Sequence, residues 1–108
     1  MTYQPWYVSQ TYPSWTIPLN VEGNADNITG VSAGSLTMIF HPTVSPPPTD
    51  FTGTGTFTIV TVNPAVVTYT PSSSDVTSKF TGDLFVKVVF PSGGTAIYDP
   101  IPFSITDI

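Results

Sequence analysis

From Trp15 onward apolar and polar residues alternate with a period of two: Trp15, Ile17, Leu19 and Val21 fall on one face, and Thr16, Pro18, Asn20 and Glu22 on the other. This is the repeat of a half-buried β-strand, whose successive side chains point to opposite sides. Pro18 has no N–H to offer a neighbouring strand, which predicts an edge position. The alternation returns at Leu36, Met38 and Phe40 against Thr37, Ile39 and His41, and at Phe57 and Ile59 against Thr58 and Val60. A further strand is predicted from Val66 to Thr70, paired as a hairpin with the one before it. The strongest has Leu84, Val86, Val88 and Phe90 inward, with Phe85, Lys87 and Val89 on the other face. The last carries Ile101, Phe103 and Ile105 inward and Pro102, Ser104 and Thr106 outward, and Pro102 again predicts an edge.

Turn-forming residues separate these runs. Gly23 to Asn27, with Gly30, predict a loop, and Pro42 ends the second strand. Pro46, Pro47 and Pro48 form a stiff, extended connector. Gly53 and Gly55 permit a bulge or a close backbone approach, and Asn63-Pro64 turns the chain. Pro71 to Asp75 is a crossing loop whose Ser and Asp residues suit the cap of one helical turn. Pro91 to Gly94 closes a hairpin onto Thr95 to Tyr98. About seven short strands, with neither a helix-period segment nor an internal repeat, predict an all-β fold, an antiparallel β-sandwich.

Residues 1–14 follow another pattern. Tyr3, Trp6, Tyr7 and Tyr12 stand among Pro5, Pro13, Gln and Ser, a mix too irregular for a helix and too aromatic for a solvated tail. We read 1–14 as a docking segment ahead of a single domain spanning 15–108. Its aromatic rings have three possible destinations: their own sandwich, a partner protein, or a sugar ring, because aromatic side chains bury large areas at interfaces and stack on sugars. Trp15, in step with Ile17 and Leu19, belongs to the core.

A chain of 108 residues makes one domain, long enough to hide roughly two-thirds of its unfolded surface. Hydrophobic residues make up 40% and charged ones only 8%, leaving Thr, Ser and Asn to form the polar surface. Such a surface is weakly solvated and suits contact with neighbours. The net charge of −5 comes from Glu22, Asp26, Asp50, Asp75, Asp83, Asp99 and Asp107 against Lys79 and Lys87 alone. With no basic stripe to neutralise phosphates, nucleic-acid binding is disfavoured. The absence of cysteine excludes disulfides and zinc-thiolate sites. The N-terminus lacks the basic start and apolar core of a secretory signal, and the run from Leu84 to Phe90 is strand-sized and carries Lys87. The expectation is a soluble protein made in a cytoplasm, with no membrane partner.

Catalysis has little material. The only imidazole, His41, falls opposite the inward Leu36, Met38 and Phe40, which predicts a surface or interface residue rather than the base of a nucleophilic triad. The acids sit mostly in turns beside Gly, Pro and Asn, where Asp serves local backbone hydrogen bonds rather than paired-carboxylate glycosidase chemistry. Glu22, Asn24, Asp26 and Asn27 could offer oxygens to calcium from one short loop, but their spacing is not that of an EF-hand, and a turn explains them. Asn27-Ile28-Thr29 matches an N-glycosylation sequon, read here as part of the same turn. No cofactor, metal or catalytic residue is expected.

Several segments taken together resemble a known family: Trp15-Thr16-Ile17-Pro18-Leu19, Ile28-Thr29-Gly30 ahead of the strand Leu36 to Phe40, Val67-Thr68-Tyr69, Gly82 opening the strand Leu84 to Phe90, and the ending from Tyr98 to Ile105. They are similar to the N-terminal immunoglobulin-like domain of siphophage upper baseplate proteins, the BppU type, over most of 15–108. The resemblance implies an immunoglobulin-like sandwich acting as a structural part of a virion, packed in a ring around the tail tip. It implies a homo-oligomer in contact with other tail or baseplate proteins, assembled in the host cytoplasm. The sequence stops at Ile108 without the extension that carries receptor-binding proteins in that family, so docking is the expected role and receptor presentation is not. The resemblance to ordinary immunoglobulin domains around Asp75 to Leu84 is fainter, because Leu84 stands where a corner tyrosine is expected and both cysteines are missing. Two other functions stay open: a carbohydrate-binding module or adhesin using Trp6 and the nearby tyrosines, and a hydrolase using His41 or the acids.

Overall fold

Residues 6–43, 49–77 and 79–106 are described by the computed structural model, so Tyr3 and the Pro46 to Pro48 connector lie outside the described residues. The first strands are β1 (Trp6–Tyr7), β2 (Trp15–Pro18), β3 (Asn20–Val21), β4 (Asn24–Ala25) and β5 (Leu36–Pro42). There follow β6 (Phe51–Thr52), β7 (Thr56–Val62), β8 (Ala65–Thr70), β9 (Phe80–Val89), β10 (Thr95–Ile97) and β11 (Ile101–Thr106). Short 3-10 turns span Ala33–Ser35 and Ser73–Val76. The larger sheet runs β1-β11-β9-β5-β6, with β10 also paired to β9; the smaller runs β2-β8-β7, and β3 and β4 make a separate hairpin.

The period-two pattern explains why these sheets meet. β5 buries Leu36, Met38 and Phe40, and β9 buries Leu84, Val86 and Val88; β2 buries Trp15 and Ile17, and β8 buries Ala65, Val67 and Tyr69. These faces close on one another: the Trp15 ring of the smaller sheet lies 4.5 Å from Phe103 and 6.2 Å from Phe40 of the larger. The fold is all-β, as the alternation predicts. Both prolines sit where a donor is not needed. β2 is an outer strand of its sheet, and β11 at Pro102 pairs only with β9, since β1 reaches only Ile105 and Thr106.

The structure departs from the expected pattern in three places. The larger sheet is mixed rather than antiparallel, because β1 runs parallel to β11. The segment expected to dock, from Trp6 onward, thus docks in part on the chain's own last strand. The seven predicted strands appear as β2, β5, β7, β8, β9, β10 and β11, and among the described residues four two-residue segments, β1, β3, β4 and β6, add to them. Val21 does not continue the buried face of Trp15, Ile17 and Leu19, for the chain turns after Leu19 into the β3–β4 hairpin. Glu22 and Gly23 both take positive φ there, at 51° and 82°, as a two-residue hairpin turn demands. The Asp99 carboxyl accepts both of their backbone N–H groups, at 2.9 and 2.8 Å.

A second tie holds the loop after β8. Tyr69 is buried and its hydroxyl donates to Asp75 Oδ2, while that hydroxyl accepts the N–H of Gly55 at 2.8 Å. Asp75 also accepts from the N–H of Thr54 at 2.9 Å and of Ser72 at 3.1 Å, and the Ser72 hydroxyl caps the turn in return. A Cβ at Gly53 would overlap the Tyr69 hydroxyl and one at Gly55 the Thr70 carbonyl, so the close approach expected of these glycines is what lets β7 begin beside β8. Burial, and after it the hydrogen bond to Asp75, raises the Tyr69 phenol far above its ordinary value; burial and Asp26 do the same for Tyr98. Because the folded state holds these protons more tightly, their contribution is full below the ordinary phenol value of 10.0 and is lost as pH climbs past it. Denaturant titrations should show stability falling above that pH, at most about 1.4 kcal/mol per pH unit for each phenol. Tyr69→Phe should lose about 1.5–3 kcal/mol at neutral pH and fall less steeply in alkali. An identical alkaline slope in the variant would remove Tyr69 as its source.

Candidate functional site

The N-terminal aromatic residues divide. Trp6 is 2% exposed and sits edge-on to Trp15, with ring centroids 5.3 Å apart. Its indole N–H donates to the Gln10 carbonyl at 2.6 Å. Backbone bonds from Val8 to Thr106, 3.0 Å, and from Ser9 to Val76, 2.8 Å, stitch the segment to the sandwich. Trp6 therefore has no face to give a partner or a sugar, and as a contact residue it is corrected to a core residue. Tyr7 and Tyr12 point outward, 43% and 83% exposed, on a turn held by Gln10, which receives the Tyr7 N–H at 3.1 Å and donates to the Tyr12 carbonyl at 3.0 Å. Tyr3 lies outside the described residues.

The hydroxyl-rich contact surface expected from composition has a definite place in the fold. On the outer face of the smaller sheet Thr16, Thr68 and Thr58 stand in one cross-strand row, and Thr70 and Thr56 in the next. The Ser14 and Thr70 hydroxyls lie 2.6 Å apart at its margin. No charged side chain occurs from Met1 to Val21 or from Phe51 to Ser74, the two stretches that supply β2, β7 and β8. That absence was readable in the sequence; only the fold shows that the two stretches make one sheet.

Charged groups lie elsewhere and are used locally. His41 Nδ1 and Asp50 Oδ1 are 2.6 Å apart on the outer face of the larger sheet, with both side chains about half exposed. The imidazole packs edge-on to Phe85, with centroids 5.8 Å apart. The hydrogen bond seen at the His41 ring runs to a carboxylate, not to a serine or threonine hydroxyl. In the loop considered for calcium, Asp26 accepts from the Tyr98 hydroxyl at 2.7 Å, and Asn27 Oδ1 accepts from the Thr29 N–H at 3.0 Å and hydroxyl at 2.6 Å. Among the described residues no three His, Cys, Asp or Glu side chains converge as metal ligands.

Two hollows are shallow. One of about 360 Å³ is lined by Tyr7, Val8, Ser9 and Gln10, and one of about 270 Å³ by residues of the Ala33–Ser35 turn and the start of β7. Neither gathers the convergent polar groups in an apolar enclosure that mark a small-molecule site. Among the described residues no helix is long and apolar enough to cross a membrane. Comparison with protein-family profiles, curated proteins and solved structures yields no match.

The two exposed tyrosines and the buried tryptophan should separate cleanly on truncation. Trp6→Ala should cost about 3–5 kcal/mol of stability, and Tyr12→Ala no more than about 0.5 kcal/mol, in denaturant unfolding. A Trp6→Ala chain as stable as the wild type would return Trp6 to the surface.

Proposed function

We propose that this chain is a non-enzymatic structural protein of a phage virion, a tail or baseplate component that assembles with itself and with neighbouring tail proteins. The observation that carries the reading is the segregation of charge: one whole sheet presents only threonines and apolar side chains, a surface that water solvates weakly and a neighbouring subunit can cover. The exposed Tyr7 and Tyr12 add amphipathic rings of the kind enriched at protein interfaces. The strand order supports the resemblance as well. With the β3–β4 hairpin set aside, β2-β8-β7 opposite β5-β9-β11 follows the order of an immunoglobulin-like sandwich. Fold alone does not assign function, so the surface carries more of the weight.

The other binding reading, a carbohydrate-binding module or adhesin, keeps Tyr7 and Tyr12 among the described residues as stacking platforms, because the largest ring of the segment is buried. Mass spectrometry of purified phage particles should find this chain at a fixed ratio to the tail proteins, and a glycan array should stay blank. Particles free of the chain would overturn the virion reading; glycan binding lost on Tyr12→Ala would replace it with the adhesin.

A further inference from the structure

We infer that the outer edge of β7 is the seam along which a second copy of this chain adds, antiparallel and two-fold, extending the smaller sheet across both molecules. The inference rests on the self-assembly reading above and names the surface that performs it. β7 pairs on one side with β8; among the described residues, its one backbone hydrogen bond outside that pairing is from the Ile28 N–H to the Val62 carbonyl, at 2.8 Å. Between that bond and the Ala33–Ser35 turn that lies against β7, the backbone groups of alternate residues from Thr58 to Thr61, those turned away from β8, are left open. Such a row is a template for another strand, and proteins ordinarily blunt it with proline, lysine, a bulge or short length. Other outer strands are blunted by proline or length: β2 has Pro18, β1 and β6 are two residues long, and β10 is three. β7 runs for seven residues with neither proline nor charge, and its one defence is the bulge between Ile59 and Thr61. The register shift between Ile59 and Thr61 leaves Val60 56% exposed beside the open edge, where a partner strand would cover it.

Charge selects a second copy as the occupant. The molecule carries −5 in total, all of it outside the stretches that build this sheet. Two copies of so acidic a chain repel where their charged stretches meet, an effect screened only beyond a Debye length of about 8 Å. By β7 they bring only neutral residues. A two-fold antiparallel pairing of one strand with itself is self-complementary, so each open row satisfies the other and the contact closes without growing into a fibre. The exposed threonines flanking the seam satisfy their own hydroxyls in water or across it, which keeps the lone chain soluble.

The test is sedimentation equilibrium of the full chain over a wide concentration range, with Val60→Lys and Thr58→Lys on the seam and Ile97→Lys as a control on the larger sheet, where Ile97 is 58% exposed. Circular dichroism and melting temperature check that each variant folds. The wild type and Ile97→Lys should form a dimer, while each seam variant should weaken it about tenfold or more, because a lysine on an edge opposes pairing. If the wild type associates and both seam variants associate equally well, the seam is wrong while self-assembly stands. If the wild type stays monomeric throughout, self-assembly falls and the seam with it.

Discussion

Trp15 reaches from the smaller sheet into four other rings, Trp6 at 5.3 Å, Tyr69 at 5.4 Å, Phe40 at 6.2 Å and Phe103 at 4.5 Å. Three of these belong to the larger sheet, so in a chain without cysteine the ring cluster joins the two layers with no covalent link. Each such ring buries roughly 150–250 Å², and a well-oriented pair adds about 0.5–1.5 kcal/mol beyond area alone. The cluster has a cost: the Trp15 indole N–H has no hydrogen-bond partner among the described residues, a loss on the order of 1–3 kcal/mol that the packing of four rings offsets. Trp6 docks because Trp15 is there, and β1 is parallel to β11 because Trp6 docks.

The acids serve this frame rather than a reaction. Asp75 receives Tyr69, Asp26 receives Tyr98, and Asp99 receives the turn of the β3–β4 hairpin. Asp26 and Asp99 join segments 72 to 77 residues apart, while Asp75 pins its turn to the strand six residues before it, so much of the small charge inventory is spent inside the molecule. Of the others, the His41–Asp50 pair lies on the larger sheet, Asp83 and Lys87 belong to β9, and Glu22 stands at the tip of the β3–β4 hairpin. The smaller sheet is left bare of charge, and the same distribution that stabilises the loops makes one face of the molecule suited to contact.

The strands were legible because each buries one face. Leu36, Met38 and Phe40, or Leu84, Val86 and Val88, announce themselves by period two, and all six are buried. Pro18 and Pro102 marked open edges for a reason that holds in any sheet, the missing donor. The N-terminal segment was illegible because a two-residue strand has no period; Trp6 is placed by its contact with Trp15, which no local pattern contains. The ties to Asp75, Asp26 and Asp99 were read only as turn chemistry, since their donors Tyr69, Tyr98 and Gly23 reach them through the fold. The uncharged stretches were visible as composition, but their union into one sheet depends on β2 pairing with β8, across nearly half the chain.

The molecule thus divides its work between a sheet that carries charge and a sheet that carries none, held together by an aromatic core. Amide hydrogen exchange, compared between dilute and concentrated chain, tests this division most directly. Exchange should slow on concentration in the segment from Thr56 to Val62 and remain unchanged across β9 and β11. Slowing confined to the larger sheet, or none at any concentration, would contradict it.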